Sequence, residues 1–187
     1  MHIAILSTSV RAGRNSHRVG LYFKKYVEKN EIATADLIDL QDYKFPIFEE
    51  RLRFMIDPSP QIVDFATRIK NADGVVVITP EYNGGFPASL KNVIDLLSVE
   101  WKRKPTGIVT VSTGAFGGVL VYPSLIFSLW KKGVWVIPAR YQVPHVQEAF
   151  DENGYPADIT GTEKRTQTFL QELVWCMEAR EKMNPPD

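Results

Sequence analysis

The chain has one cysteine, Cys176, in 187 residues. That excludes an internal disulfide framework and any all-cysteine metal or iron–sulfur site within one chain, and it points to a reducing compartment. Charge of either sign is not in excess: Lys+Arg and Asp+Glu stand at 22 each. A nucleic-acid or anionic-membrane binder needs a basic field for counterion release, and none is present, so neither partner is expected. No apolar run approaches the roughly 20 residues of a membrane helix. The N-terminus reads as a strand, HIAILS, with no charged region leading into a long apolar core, so no targeting segment is visible and a cytoplasmic protein is expected. Two phosphate-binding signatures are also missing. Without GxxxxGK[ST] there is no cradle for a nucleoside triphosphate and its magnesium, and without GxGxxG none for the pyrophosphate of a tightly bound dinucleotide. His2, His17 and His145 are scattered with no spacing that points to a shared metal.

What is present describes one soluble domain over 1–187, since 44% hydrophobic and 24% charged content suffices for a real core. Strand and helix patterns alternate. Strands are expected over 2–7, 35–40, 75–78, 107–112 and 134–138, and helices over 16–30, from 59–60 onward, from Pro87, over 120–132 with Pro123 as an interruption, and from a capping box at Thr160-Gly161-Thr162-Glu163. The stretch 139–159 reads as irregular, and the terminal MNPPD is expected to fray. Such alternation predicts an α/β fold, a three-layer flavodoxin-like sandwich on a five-stranded parallel sheet of order 2-1-3-4-5. In that order the ligand position lies over the carboxyl ends of the first, third and fourth strands. Three loops meet there.

The first, Thr8 to Ser16 (TSVRAGRNS), offers hydroxyls, an amide, two guanidinium groups and a helix start, a set that matches a monophosphate. A plainer reading also stands, in which Asn15 or Ser16 caps the helix and the arginines are solvated. The second, Pro80-Glu81-Tyr82-Asn83-Gly84-Gly85, follows the run Val75-Val76-Val77-Ile78 and joins a rigid entry, a flat ring, an amide and two glycines. The third, Ser112-Thr113-Gly114-Ala115-Phe116-Gly117-Gly118, places three glycines after a strand, suited to a flat ring lying on backbone or to an ordinary turn. Other conspicuous residues have structural readings. Cys176, beside Val174, Trp175 and Met177, reads as a buried thiol, Trp130 and Trp135 as core, and Glu178 to Lys182 as a solvated helix end.

The blocks TSVRAGRNS, TPEYNGGFPASLKNVIDLLS and STGAFGG resemble the NADPH-dependent FMN reductase family of flavodoxin-like proteins over residues 3–136, a family that includes quinone, azo-dye and chromate reductases. The resemblance implies FMN as cofactor and NADPH or NADH as donor. It places Ser9, Arg11, Asn15 and Ser16, with Arg14, on the FMN phosphate. Pro80, Glu81, Tyr82, Asn83 and Gly84 fall along the ring, and Ser112, Gly114 and Gly117 beside its pyrimidine side. Trp101 would lie near the flavin edge or in a subunit contact. The implied reaction takes hydride from NAD(P)H to FMN and on to a small acceptor by a ping-pong mechanism. No catalytic side chain and no metal are assigned, and a homodimer or homotetramer is expected. Thr8 stands where the family often has Gly, and Ala115-Phe116 replaces a more glycine-rich or charged pair. A flavodoxin-type electron carrier, which binds FMN without nicotinamide turnover, is the alternative, although carriers tend to be strongly acidic and this chain is balanced. A flavin-free module on the same scaffold is a third reading.

Overall fold

The computed structural model describes residues 1–183; the expectation for the terminal tail falls, at 184–187, outside the described residues. Among the described residues five parallel strands form one sheet in the order β2-β1-β3-β4-β5, with β1 His2–Ser7, β2 Thr34–Asp39, β3 Gly74–Pro80, β4 Pro105–Val111 and β5 Trp135–Val143. The expected fold and strand order are those observed. The central strands are buried because helices cover both faces, which is why β3 reads as an unbroken β-branched run. The helices are α1 Ser16–Lys29, α2 Leu40–Tyr43, α3 Pro60–Asn71, α4 Ala88–Leu96, α5 Val121–Lys131, α6 Val146–Ala149 and α7 Ile159–Lys182. One face packs α3, α4 and α5 through Phe65, Leu90 and Leu125; the other packs α1 and α7 through Phe23, Phe169 and Leu173.

Local chemistry explains where elements begin. Ser59 caps α3, its hydroxyl accepting from Ile62 N, and Pro60 follows at the first helical position, where a missing N–H costs nothing. Pro87 is the N-cap of α4 rather than a first-turn residue. Pro123 does not interrupt α5, because it falls in the first turn, where its nitrogen has no intrahelical acceptor to lose. The capping-box expectation is corrected: the cap lies two residues earlier, at Asp158 instead of Thr160, so α7 starts at Ile159 and Asp158 caps it by accepting from Gly161 N at 2.9 Å. A carboxylate at that position also meets the positive end of the helix dipole.

β5 runs five residues past Pro138, into the stretch expected to be irregular, and α6 lies in that stretch too. An edge strand tolerates proline because one side of its backbone has no ladder partner. The ladder shifts register between Thr106 and Ile108, and at Gly107 an added Cβ would lie 2.4 Å from Phe169 Cζ, so that glycine is what lets α7 close on the sheet.

Two tryptophan expectations are overturned. Trp101 is fully buried, its indole N–H directed to Val93 O at 3.5 Å, and touches no ligand position. Trp130, read as core, is 63% exposed on α5 beside Phe127 at 62%. Both readings failed for the same reason: apolar identity does not say whether a ring faces the core or solvent.

Candidate functional site

The first loop is tied to the sheet before it reaches α1. Thr8 donates from its backbone N and from Oγ1 to Ile78 O, at 3.1 and 2.9 Å, and Thr8 O accepts from Ser89 Oγ of α4 at 2.5 Å. A residue with a hydroxyl therefore stitches β1 to β3 where the first loop begins. The loop then turns at Gly13, φ +69°, and delivers the chain to the start of α1.

That helix start is left open. Asn15, the N-cap residue, makes no side-chain capping bond, and Ser16 Oγ is buried without a hydrogen-bond partner, so the plainer reading of these two residues as a helix cap does not hold. An unpaired buried hydroxyl costs about 1–3 kcal/mol, and the N–H groups of a first helical turn favour an anion. Both features point one way, toward an anionic group seated at the helix end.

The two arginines of the loop have different surroundings. Arg11 is exposed. Arg14 is half-buried, makes a bidentate ion pair with Asp39 at the end of β2, and donates from Nη1 to Ser9 O at 2.7 Å. Asp39 also accepts from Gln41 N at 3.0 Å, capping α2, and lies 3.2 Å from Nδ1 of His17. Burial holds the His17 imidazole below its usual range, against the pull of Asp39 upward.

The second loop is a tight hairpin. Tyr82 N donates to Gly85 O at 2.8 Å and Gly85 N to Tyr82 O at 3.1 Å, with Asn83 and Gly84 at φ +54° and +78°. Positive φ at both central residues is the reason for an Asn-Gly pair in a two-residue turn. Glu81 N is spent on Val111 O, so the N–H groups of Asn83 and Gly84 are those left on this loop to meet a ligand. Tyr82 reaches back over the first loop, its hydroxyl 2.6 Å from Ser9 Oγ. Glu81 crosses the other way and accepts from Leu120 N, at the start of α5, at 3.3 Å. One loop thus touches both its neighbours.

The third loop is held from behind. Ser112 N donates to Val143 O and Val146 N to Ser112 O, while Thr110 Oγ1 donates to Gly117 O at 2.6 Å. Gly117 is buried against β5, where a Cβ would meet Gln142 Cβ at 3.0 Å; Gly114 is open to solvent, and Phe116 is 82% exposed.

Ser9, Arg11, Arg14, Asn15 and Ser16 line one cleft of about 130 Å³ together with Pro80, Glu81, Tyr82 and Ser112. Asn83, Gly84, Gly114 and Gly117 lie outside its wall, the first two at the hairpin tip. The wall also takes in Gly13, Thr113 and Val146, which the sequence reading did not single out. Asp39 was missed as well, although an acid at the carboxyl end of a strand already stands at the rim where ligands bind. A larger groove of about 530 Å³ lies on the far side of Val10, walled by Leu40, Phe45 and Ile47. Volume does not mark the site; the orphaned hydroxyl and the open helix end belong to the smaller cleft. Asn92, in the LKN part of the second block, serves that groove's wall by accepting from Phe48 N at 2.6 Å and donating to Pro46 O at 2.7 Å.

Among the described residues no helix is long and apolar enough to cross a membrane. The chain is 37% identical over 131 residues to the NAD(P)H-dependent FMN reductase LOT6 of Saccharomyces cerevisiae, an alignment covering 63% of this chain and 68% of that protein. It is 34% identical over 119 residues to a quinone reductase of Pseudomonas putida, covering 59% of each. Among solved structures, FerB, a flavoenzyme NAD(P)H:(acceptor) oxidoreductase from Paracoccus denitrificans, shares the fold with a TM-score of 0.75 at 22% identity, over 95% of this chain and 97% of that one. Residues 1–148 match the sequence model described as NADPH-dependent FMN reductase, and the chain belongs to that family of oxidoreductases.

Proposed function

We propose that this chain is a single FMN-binding domain that oxidises NAD(P)H and reduces a small acceptor of the quinone, flavin or azo class. The observation that carries the reading is the unsatisfied Ser16 hydroxyl at the uncapped start of α1, in a cleft shared with the exposed Arg11 loop. A phosphate monoester fits that donor set. Ser9, Asn15 and Ser16, with the first-turn N–H groups, would donate to it, and Arg11 would offset its charge. Pro80 to Gly84 would wall the flavin ring, Asn83 and Gly84 offering their N–H groups, and Ser112, Gly114 and Gly117 would border its pyrimidine side.

Bound FMN supplies the two-electron chemistry; the protein supplies position and electrostatics. Tyr82 fastens the ring-side hairpin to the phosphate loop through Ser9, and Glu81 fastens the same hairpin to α5, so the two halves of the cleft keep one spacing. Donor and acceptor use one open face in turn, which makes the kinetics ping-pong, with parallel double-reciprocal lines. The exposed Phe127 and Trp130 on α5 fit a homodimer or homotetramer built across that helix, in the cytoplasm.

The test is the visible spectrum of the purified protein after FMN addition and desalting, followed by anaerobic NADPH and then NADH. Retained flavin absorbance that a nicotinamide bleaches is the expected result. Retained flavin that neither bleaches would make the protein a carrier, and no retained flavin would overturn the reading.

A further inference from the structure

The acid behind the phosphate loop is at first sight misplaced. Asp39 keeps a side chain only 8% exposed beside a helix start that, on the reading above, receives a phosphate. Its retention has a structural cause: it caps α2 through Gln41 N and touches His17 in the first turn of α1. Left alone, a buried carboxylate there would repel an anion in the adjoining cleft through low-dielectric surroundings. Arg14 meets it with both terminal nitrogens, and its side chain is itself 12% exposed. The planar guanidinium is thereby committed, with its remaining contact on Ser9 O.

We infer that Arg14 is not a ligand of the phosphate but a positioning residue, the counter-ion that cancels Asp39 behind the loop and holds Ser9 in place, leaving Arg11 as the cation that meets the ligand. Two arginines three residues apart on one loop thus divide the labour. The inference rests on the FMN reading of the cleft. It differs from a direct role for Arg14 in one consequence: removing Arg14 does harm through the anion it uncovers, so removing that anion as well repairs the harm.

The experiment measures FMN and riboflavin affinity by flavin fluorescence titration for the wild type, Arg14→Met, and Arg14→Met with Asp39→Asn. Riboflavin lacks the phosphate and reports the ring site alone. Arg14→Met should weaken FMN binding by at least about tenfold while leaving riboflavin near the wild-type value, and the double variant should regain most of the FMN affinity. A double variant as weak as Arg14→Met makes Arg14 a direct phosphate ligand and overturns the inference. Equal loss of FMN and riboflavin makes the pair general scaffold and overturns it too, as does no loss at all. If Arg14→Met does not fold, the double variant against the wild type decides, retained FMN affinity supporting the counter-ion role and lost affinity rejecting it. A wild type that binds FMN no better than riboflavin sinks the phosphate reading of the cleft itself, and this inference with it.

Discussion

The two ends of the sheet treat their helix termini differently. At the amino end, helix C-termini are covered by lysines: Lys104 Nζ donates to Lys70 O at 2.9 Å and to Ala72 O after α3, and Lys132 Nζ donates to Asp95 O and Leu97 O at the end of α4. Cations there satisfy orphan carbonyls and meet the negative end of each helix dipole. At the carboxyl end α3 is capped by Ser59, but α1 is not capped at all, and Ser16 keeps a buried hydroxyl without a partner. Side-chain caps are also missing at the starts of α4 and α5, so what sets the α1 start apart is that buried, unpartnered hydroxyl, which a ligand would complete. The comparison separates stability from binding: damage at the amino end should unfold the protein, and damage at the α1 start should empty the cleft.

The largest expected effect is Trp101→Ala, which removes a fully buried indole near the amino end. It should cost about 3–5 kcal/mol in urea unfolding, with FMN affinity per folded molecule unchanged. A loss of affinity in molecules that remain folded would break the separation.

Next is the pH dependence set by Lys104, whose ammonium burial pushes down from 10.5 to about 8. Below pH 8 folded and unfolded chains both carry the proton, and folding bears the whole cost of burying the charge. Between pH 8 and 10.5 the folded side chain releases its proton while the unfolded one keeps it, so stability rises with pH through that window. Relative to Lys104→Met, the gain should be on the order of 2–3 kcal/mol in unfolding curves compared across the window. A difference that is flat in pH would mean that the buried ammonium keeps its proton across the window, as the unfolded side chain does.

At the other end, Arg11→Ala should weaken FMN binding by about 1.5–3 kcal/mol, a charge-assisted contact, with the apo melting temperature unchanged because the side chain is exposed. Unchanged affinity would show that Arg11 is only a solvated loop residue. The smallest effect, and the sharpest, is Ser16→Ala. Its hydroxyl has no bond to lose, so the apo protein should be as stable as before or more so, while FMN affinity falls by about 0.5–1.5 kcal/mol. Lower apo stability with full affinity would reverse the contrast between the two ends.

The rim loops were legible because their chemistry is local. The Val75 to Ile78 run, the Asn83-Gly84 turn pair and the Ser59-Pro60 helix start each state their conformation in adjacent residues. Asp39 and Glu81 were not legible in their roles, since their partners, Arg14, His17 and Leu120, come from other elements and no spacing links them. Trp130 and Trp101 exchanged expectations because burial is a property of a neighbour's position.

By itself the sequence determined the alternation of strands and helices, the parallel sheet and its order, and the family, since periodicity, turn residues and short motifs are written in neighbouring positions. Only the tertiary structure decided which polar groups are satisfied: that Arg14 is committed to Asp39, that Lys104 caps α3, and that Ser16 is left without a partner. Hydrogen-bond satisfaction is an accounting over groups distant in the chain, and it closes only when the elements have packed.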